Sequence, residues 1–401
     1  MTHHPPGTVG TGSPQNTGLH LALEVDGDGA HPAAWRYSGR PPGAVLTPTA
    51  LTSVVTDAED AGFALVTFDD APLPPNARRS EGDGDDDNGD GDGASPNAAG
   101  RIEAGTRAAY VSALTDRVGL APTLHITTTE PFHLATQLAS LDHASRGRAA
   151  WIVGAANGED DLATVGGQPR TGEALRREIA DVVDVARALW DSWQDDAVIK
   201  DVATGRYLDA DRVHPVDFQG EAFTVKGPLI TPRPPQGHVV VLAADDLELD
   251  ADVDIVLIGQ PDPEAIAARA AAARAAGASL VFAEVEVVLD TDIPAADRLA
   301  ALEDASRWPS TGRLRHVGSA AGLTDLLVRL ADVVDGVRLH LAVLAVDLPV
   351  LTAQVLPALT AAGLHRAPRP GHTLRDTLGV ARPANRFAVA AATDASGQHH
   401  D

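Results

Sequence analysis

There is no cysteine among the 401 residues. That excludes disulfides, thiolate metal sites and a cysteine nucleophile, and it leaves the redox compartment unmarked. Aromatic side chains are sparse at 4% of the chain, while Ala, Val, Leu, Asp and Arg abound, a composition that suits helices around a Val/Leu-rich sheet. No run approaches the roughly 18 apolar residues that span a bilayer, so no membrane role is expected. The opening MTHHPPGTVGTGSPQNTG has neither a basic stretch nor an apolar one after it, and residues 1–17 read as a flexible lead rather than a signal peptide. Positive charge is short too. The formal net charge of −25 excludes a nucleic-acid partner, because phosphate binding needs a basic footprint. Part of that excess is local to Glu81–Asp92, which is rich in acids and has no base. The cytoplasm is the default compartment that these absences leave.

What is present is most specific in Gly119–Asn157, GLAPTLHITTTEPFHLATQLASLDHASRGRAAWIVGAAN. It reads as a buried strand (Gly119–Ile126), an amphipathic helix (Pro131–His143), a Gly-Arg turn and a second buried strand (Ala149–Ala156). Two continuous apolar runs joined by such a helix predict a parallel crossover with both sheet faces covered. The alternation extends along the chain. Further strands are expected at Leu19–Val25, Leu65–Phe68, His238–Ala244, Asp254–Gly259, Ser279–Leu289 and Val337–Leu344. Helical stretches are expected near 48–61, 103–117, 131–143, 171–194, 261–276 and 294–307 or 319–334. Eight such units predict an α/β fold, a (β/α)8 TIM barrel over residues 18–388. A doubly wound sheet is the rival, but Leu19–Val25 is followed by DGDGAHP, with no GxGxxG.

Two insertions break the pattern. Residues 79–100 form an Asp/Gly/Asn run that buries too little apolar surface to repay its ordering entropy, and a disordered acidic loop is expected there. Its Asp86-x-Asn88-x-Asp90-Gly91 resembles half a calcium loop, but Asn97 stands where the bidentate Glu belongs. Residues 201–235 read as a hairpin insertion before the fifth barrel strand. A flexible tail is expected over 389–401. No trio of histidines and carboxylates has ligand spacing, so no metal is indicated.

The wording EP-x-HLA-x-QLASLDH-x-S-x-GRA-x-W resembles the bacterial-luciferase-like, flavin-dependent monooxygenases, in the branch of the nitrilotriacetate, dimethyl sulfide and long-chain alkane enzymes. HPAAWR (His31–Arg36), RALWDSW (Arg187–Trp193), GEAFTVKGPL-x-TPRPPQG and RPANRFA (Arg382–Ala388) extend the resemblance from about residue 18 to 388. It implies reduced FMN, delivered by a separate flavin reductase and held at the carboxyl ends of the strands, with O2 used on a small organic substrate. It also implies a homodimer. Carried over residue by residue, it puts Asp70 and Thr127 against the flavin, with Asn157 the first polar side chain after the fourth strand. Arg176 falls where relatives carry a Tyr and could meet the phosphate. His31 and His125 are the candidate catalytic residues at strand ends, where a neutral imidazole can bind substrate or stabilise a peroxide. His214 and His340 read as structural.

Three departures cut against that site. Ile152–Ala156 is apolar where relatives present Asn and hydroxyls, Tyr has become Arg176, and the phosphate turn after the fifth strand reads AADDLELD. There Asp245 and Asp246 would meet a phosphate dianion with several kcal/mol of repulsion, at ~5 Å and a dielectric of about 20. The alternative is therefore a non-catalytic barrel that has lost flavin and serves as a partner subunit or small-molecule binder. A deazaflavin cofactor is a third possibility.

Overall fold

The computed structural model describes residues 18–41, 43–73, 100–249 and 252–388. The expected lead, the tail and all of the acidic insertion but Gly100 lie outside the described residues. Among the described residues thirteen strands run in chain order: β1 (His20–Glu24), β2 (Leu65–Phe68), β3 (Gly119–His125), β4 (Ala150–Gly154), β5 (Val198–Asp201), β6 (Arg206–Leu208), β7 (Phe218–Gln219), β8 (Thr224–Val225), β9 (Val240–Ala244), β10 (Ile255–Ile258), β11 (Leu280–Leu289), β12 (Leu314–Gly318) and β13 (Gly336–Leu341). Strands β1, β2, β3, β4, β9, β10, β11 and β13 pair in parallel in that order, and β13 pairs back to β1, closing an eight-stranded barrel. Each of the eight expected strands is present. The hairpin insertion is two antiparallel ribbons, β5 with β6 and β7 with β8.

Around the barrel lie α1 (Pro48–Asp60), α2 (Ala104–Ser112), α3 (Pro131–Ala144), α4 (Glu159–Ala163), α5 (Gly172–Asp191), α6 (Pro263–Ala275), α7 (Ala295–Ala305), α8 (Ala320–Leu330), α9 (Leu344–Val350), α10 (Leu356–Ala361) and α11 (Leu374–Leu378). Strand alternation sorts the side chains into two shells. Leu21, Leu23, Leu124, Trp151, Val241 and Val285 point outward and are buried under the helices. Leu65, Ala121, Ala150, Val240, Ile255 and Phe282 fill the barrel, with Leu374 and Leu378 of α11 packed into the same cluster. Gly336 is required there: a Cβ would lie 2.5 Å from the Phe282 ring.

Three features were not foreseen in the sequence. Both helices of the pair 294–307 and 319–334 form, because a ninth parallel strand, β12, separates them. It pairs with Val285–Leu289, the half of β11 beyond the end of β10, and heightens one wall of the carboxyl-end mouth. Between β9 and β10 the described chain holds no helix, only a single 3-10 turn at Asp245–Leu247. Finally, Leu344–Ala361 is by length and composition apolar enough to cross a membrane, which corrects the expectation drawn from apolar runs. It runs through α9, a π turn at Leu351–Val355 and α10. Leu344, Leu348, Leu351, Val355, Leu356 and Leu359 are buried in the core, and Asp347 is paired with Arg298 of α7.

Candidate functional site

On β1, β2, β11 and β13 the inward positions nearest the carboxyl ends are polar or charged instead of hydrocarbon. Glu24 on β1, Thr67 on β2, Glu284 and Glu286 on β11, and Arg338 and His340 on β13 are all buried. Arg338 is the hub. Its guanidinium meets Glu24, donates to Thr67 Oγ1 at 2.9 Å and reaches Glu284 Oε1 at 2.8 Å. Glu24 also accepts from the Thr67 hydroxyl at 2.8 Å and the Asp69 N–H at 3.0 Å. From β12 and the loop before it, Arg313 reaches Glu284 at 3.1 Å and Arg315 reaches Glu286 at 2.7 Å.

Burial alone would push the Glu284 carboxyl up, but Arg313, His340 and Arg338 hold it well below its usual range. Burial likewise opposes the Arg338 charge, and Glu24 and Glu284 outweigh it, raising its pKa. For Glu24 burial wins over Arg338, and its pKa is raised. His340 is pushed down to about 4 by burial and then by Arg313 and Arg338, so it is neutral at pH 7.

Above this floor opens a cavity of about 520 Å³ in the mouth, lined by Glu24 of β1, Thr123 of β3, Ile152 of β4, Arg338 and His340 of β13 and the loops after β1 and before β12. Most cations at its wall are already answered. Arg101 and Arg107 meet Asp26 at 2.6 and 2.7 Å, while Asp28 of the wall meets Arg40 behind it at 3.3 Å. Arg307 lies exposed at the rim. Of the candidate residues from the sequence, His31 alone lines this cavity. Its Nδ1 accepts the Ala33 N–H at 3.0 Å, which places the proton of the neutral ring on Nε2. Burial and then Arg315 push its pKa down to about 4. Nε2 has no hydrogen-bond partner, but the ring meets Trp308 edge-on at 5.1 Å, and Arg315 covers Trp308 at 4.1 Å.

The other candidates lie elsewhere around the mouth. The Asp70 carboxylate accepts the N–H groups of Ala71 at 2.8 Å and of Ala104, the first residue of α2, at 2.6 Å. His125 donates from Nε2 to the Asp70 carbonyl at 3.1 Å and accepts the Ala156 N–H on Nδ1 at 3.2 Å, which leaves neither ring nitrogen free. The Thr127 hydroxyl is buried without a partner. Both ends of the Asn157 amide are joined to the Arg170 backbone, each at 2.9 Å. Arg176 pairs with Glu248 at 3.4 Å.

That last contact belongs to the turn after β9. Ala244 leads into the 3-10 turn, and Glu248 follows in the left-handed region at φ 56°. Asp245 pairs with Arg269 of α6 at 3.3 Å. Burial raises the Asp245 pKa, opposed by Arg269. The residues that reasoning from sequence missed are the buried ions. Their signal is a titratable side chain at every second place of two apolar strands, Glu284 and Glu286 in FAEVEVVL and Arg338 and His340 in GVRLHL.

A closed parallel barrel with a polar, cavitied mouth at its carboxyl ends defines the class of (β/α)8 proteins that bind or transform small molecules there. Within that class the chain belongs to the luciferase-like monooxygenase family, whose model matches residues 30–329. It is 31% identical over 227 residues to N-acetyl-S-(2-succino)cysteine monooxygenase of Bacillus subtilis (strain 168), covering 56% of this chain and 48% of that one. It is 37% identical over 145 residues to nitrilotriacetate monooxygenase component A of Aminobacter aminovorans, covering 36% and 32%. The chain spans about half the length of the curated relatives it matches first. A long-chain alkane monooxygenase shares the fold, with a TM-score of 0.76 at 18% identity over 94% of this chain and all of the other. The expected branch is borne out.

Relatives of this kind use reduced FMN. The residues after β9 do not fit its phosphate: the described chain offers no helix N-terminus there, and Asp245, Asp246 and Glu248 stand in its place. The end of β4 is apolar through Ala156, and the Asn157 amide is engaged by Arg170.

Proposed function

We propose that this luciferase-like barrel binds a small organic molecule in the cavity at its carboxyl-end mouth without seating FMN by its phosphate. The observation that carries the reading is the pairing of a roomy cavity in the mouth with a carboxylate-bearing turn after β9 that holds no helix among the described residues. Because the wall guanidinium groups are largely paired with carboxylates, the cavity selects by shape and hydrogen bonding more than by net charge. Ligand-observed NMR with a library of small organic molecules tests it. Hits are expected to weaken at least about 10-fold in Ala30→Phe, which fills the cavity from the β1 loop. An absence of hits, or hits indifferent to Ala30→Phe, would refute it.

A second reading keeps the family's reaction: oxygenation of a small organic substrate with reduced FMN and O2, served by a separate flavin reductase in the cytoplasm. Thr127 favours it, since an unpartnered buried hydroxyl stands where the resemblance places flavin. Under this reading, reduced FMN added anaerobically is retained by the protein, and its reoxidation rate changes when O2 is admitted. Under the first, reoxidation matches free flavin. Either reading is compatible with a homodimer through α2 and α3.

A further inference from the structure

We infer that the turn after β9 is a built-in phosphate excluder: the Glu248 carboxylate answers Arg176 in place of a ligand anion, Asp245 and Asp246 flank it, and the mouth takes ligands whose tail carries no phosphate. This extends the proposed reading from the cavity to the turn after β9.

A phosphate dianion on a barrel rim needs an unpaired cation or a helix start whose first N–H groups are open. Neither is offered here. Arg176 and Arg269 are joined to Glu248 and Asp245 at 3.4 and 3.3 Å. Where a helix would begin, the chain makes one 3-10 turn with two acids in it.

Elsewhere the starts of the helices of nine residues or more are, with one exception, taken by the protein's own oxygens. On α2, Glu103 accepts from Gly105 and Thr106 while Asp70 accepts from Ala104. Glu130 accepts from Phe132 and His133 on α3, Asp262 from Ala265 on α6 and Asp290 from Ala295 on α7. Thr171 and Ser319 hydroxyls cap α5 and α8. The start of α1 has no side-chain cap and is the alternative seat that the experiment must detect. Glu248 also holds a left-handed backbone at φ 56°. A glycine is native to that conformation, so the charge can be removed there without straining the chain.

The test uses FMN and riboflavin, which differ by the phosphate alone. Both are titrated in oxidised form by fluorescence quenching and in reduced form anaerobically. The proteins are the native chain, Glu248→Gln and the triple variant Asp245→Gly, Asp246→Ser, Glu248→Gly. The native chain is expected to bind FMN no tighter than riboflavin. The triple variant is expected to gain at least about 10-fold for FMN and less than about threefold for riboflavin, with Glu248→Gln part-way. No FMN binding by the native chain, with binding gained in the triple variant, is the same result in extreme form.

A native preference for FMN of about 10-fold or more overturns the inference and points to the start of α1 as the seat. Equal gains for both flavins, or no gain, overturn the role of the carboxylates. Melting curves accompany each titration, and should the triple variant not fold, the near-isosteric Glu248→Gln carries the decision. Failure of small-molecule binding in the cavity would leave these outcomes unchanged, whereas a native preference for FMN would also remove the phosphate clause of the proposed reading and leave its cavity clause standing.

Discussion

Arg338 shows how little freedom a buried charge has. Its partners Glu24 and Glu284 are themselves buried, so removing the guanidinium leaves Glu24 without its cation and Glu284 with Arg313 alone. Arg338→Met is expected to cost about 3–5 kcal/mol of unfolding free energy, read from urea denaturation, because one-sided removal leaves uncompensated charge. His31 and His340 act in the opposite sense, being buried neutral with folded pKa values of about 4. Their unfolded value is about 6.5, so the unfolded chain takes up protons first as pH falls. The stability tied to their neutral form is complete above pH ~6.5 and is lost between ~6.5 and ~4, up to about 3 kcal/mol for each. The melting temperature is therefore expected to fall across that window. His340→Gln is expected to flatten the slope, and an unchanged slope would show that the ring is solvated.

At the scale of elements, β3 and β4 are fitted to each other at their carboxyl ends. A Cβ on Gly154 would stand 2.6 Å from His125 Nδ1, so Gly154→Ala must displace the ring from its bonds to Asp70 and Ala156. The expected loss is about 1–3 kcal/mol, and His125→Ser in the same chain is expected to recover most of it, as a double-mutant cycle on thermal melts would show. These strands also mark what could be read from the sequence. The eight barrel strands were legible because strands covered on both faces are nearly continuous apolar runs. β12 was not: Leu-Arg-His-Val-Gly is half-exposed and polar, and it is a strand only because β11 outruns β10 and leaves a ladder to fill. The acids after β9 were legible as misfits to a phosphate, whereas the reduction of that connection, among the described residues, to one 3-10 turn was not, since nothing in Asp245–Leu249 forbids a short helix. The clustering of Glu24, Glu284 and Arg338 was out of reach, because it depends on the inward register of three strands far apart in sequence.

At the scale of the whole molecule, α2 and α3 leave a groove of about 280 Å³ walled by Ala109, Leu138 and Leu141, and Tyr110 and Leu114 stand exposed on the α2 side. With the family resemblance, this face is the expected two-fold of a homodimer. Light scattering at micromolar concentration is expected to give twice the mass of the chain, and Tyr110→Glu with Leu114→Glu to give the monomer. A native monomer would exclude the homodimer.

The closing of the barrel sets an order in time. β1 is held by β13, His20 opposite Gly336, a pairing that spans 316 positions (336 − 20). On a ribosome the first strand emerges long before its neighbour exists, and one side of it stays an open ladder while the rest of the wall is laid down. The ring becomes a ring only when the last strand arrives, so cooperative resistance to proteases is expected to appear late in elongation. Nascent chains stalled after Leu330 should be cut within the barrel strands by dilute protease, and chains stalled far enough beyond Leu341 for β13 to leave the exit tunnel should not. The protein is finished, in the mechanical sense, by its eighth barrel strand rather than by any earlier one.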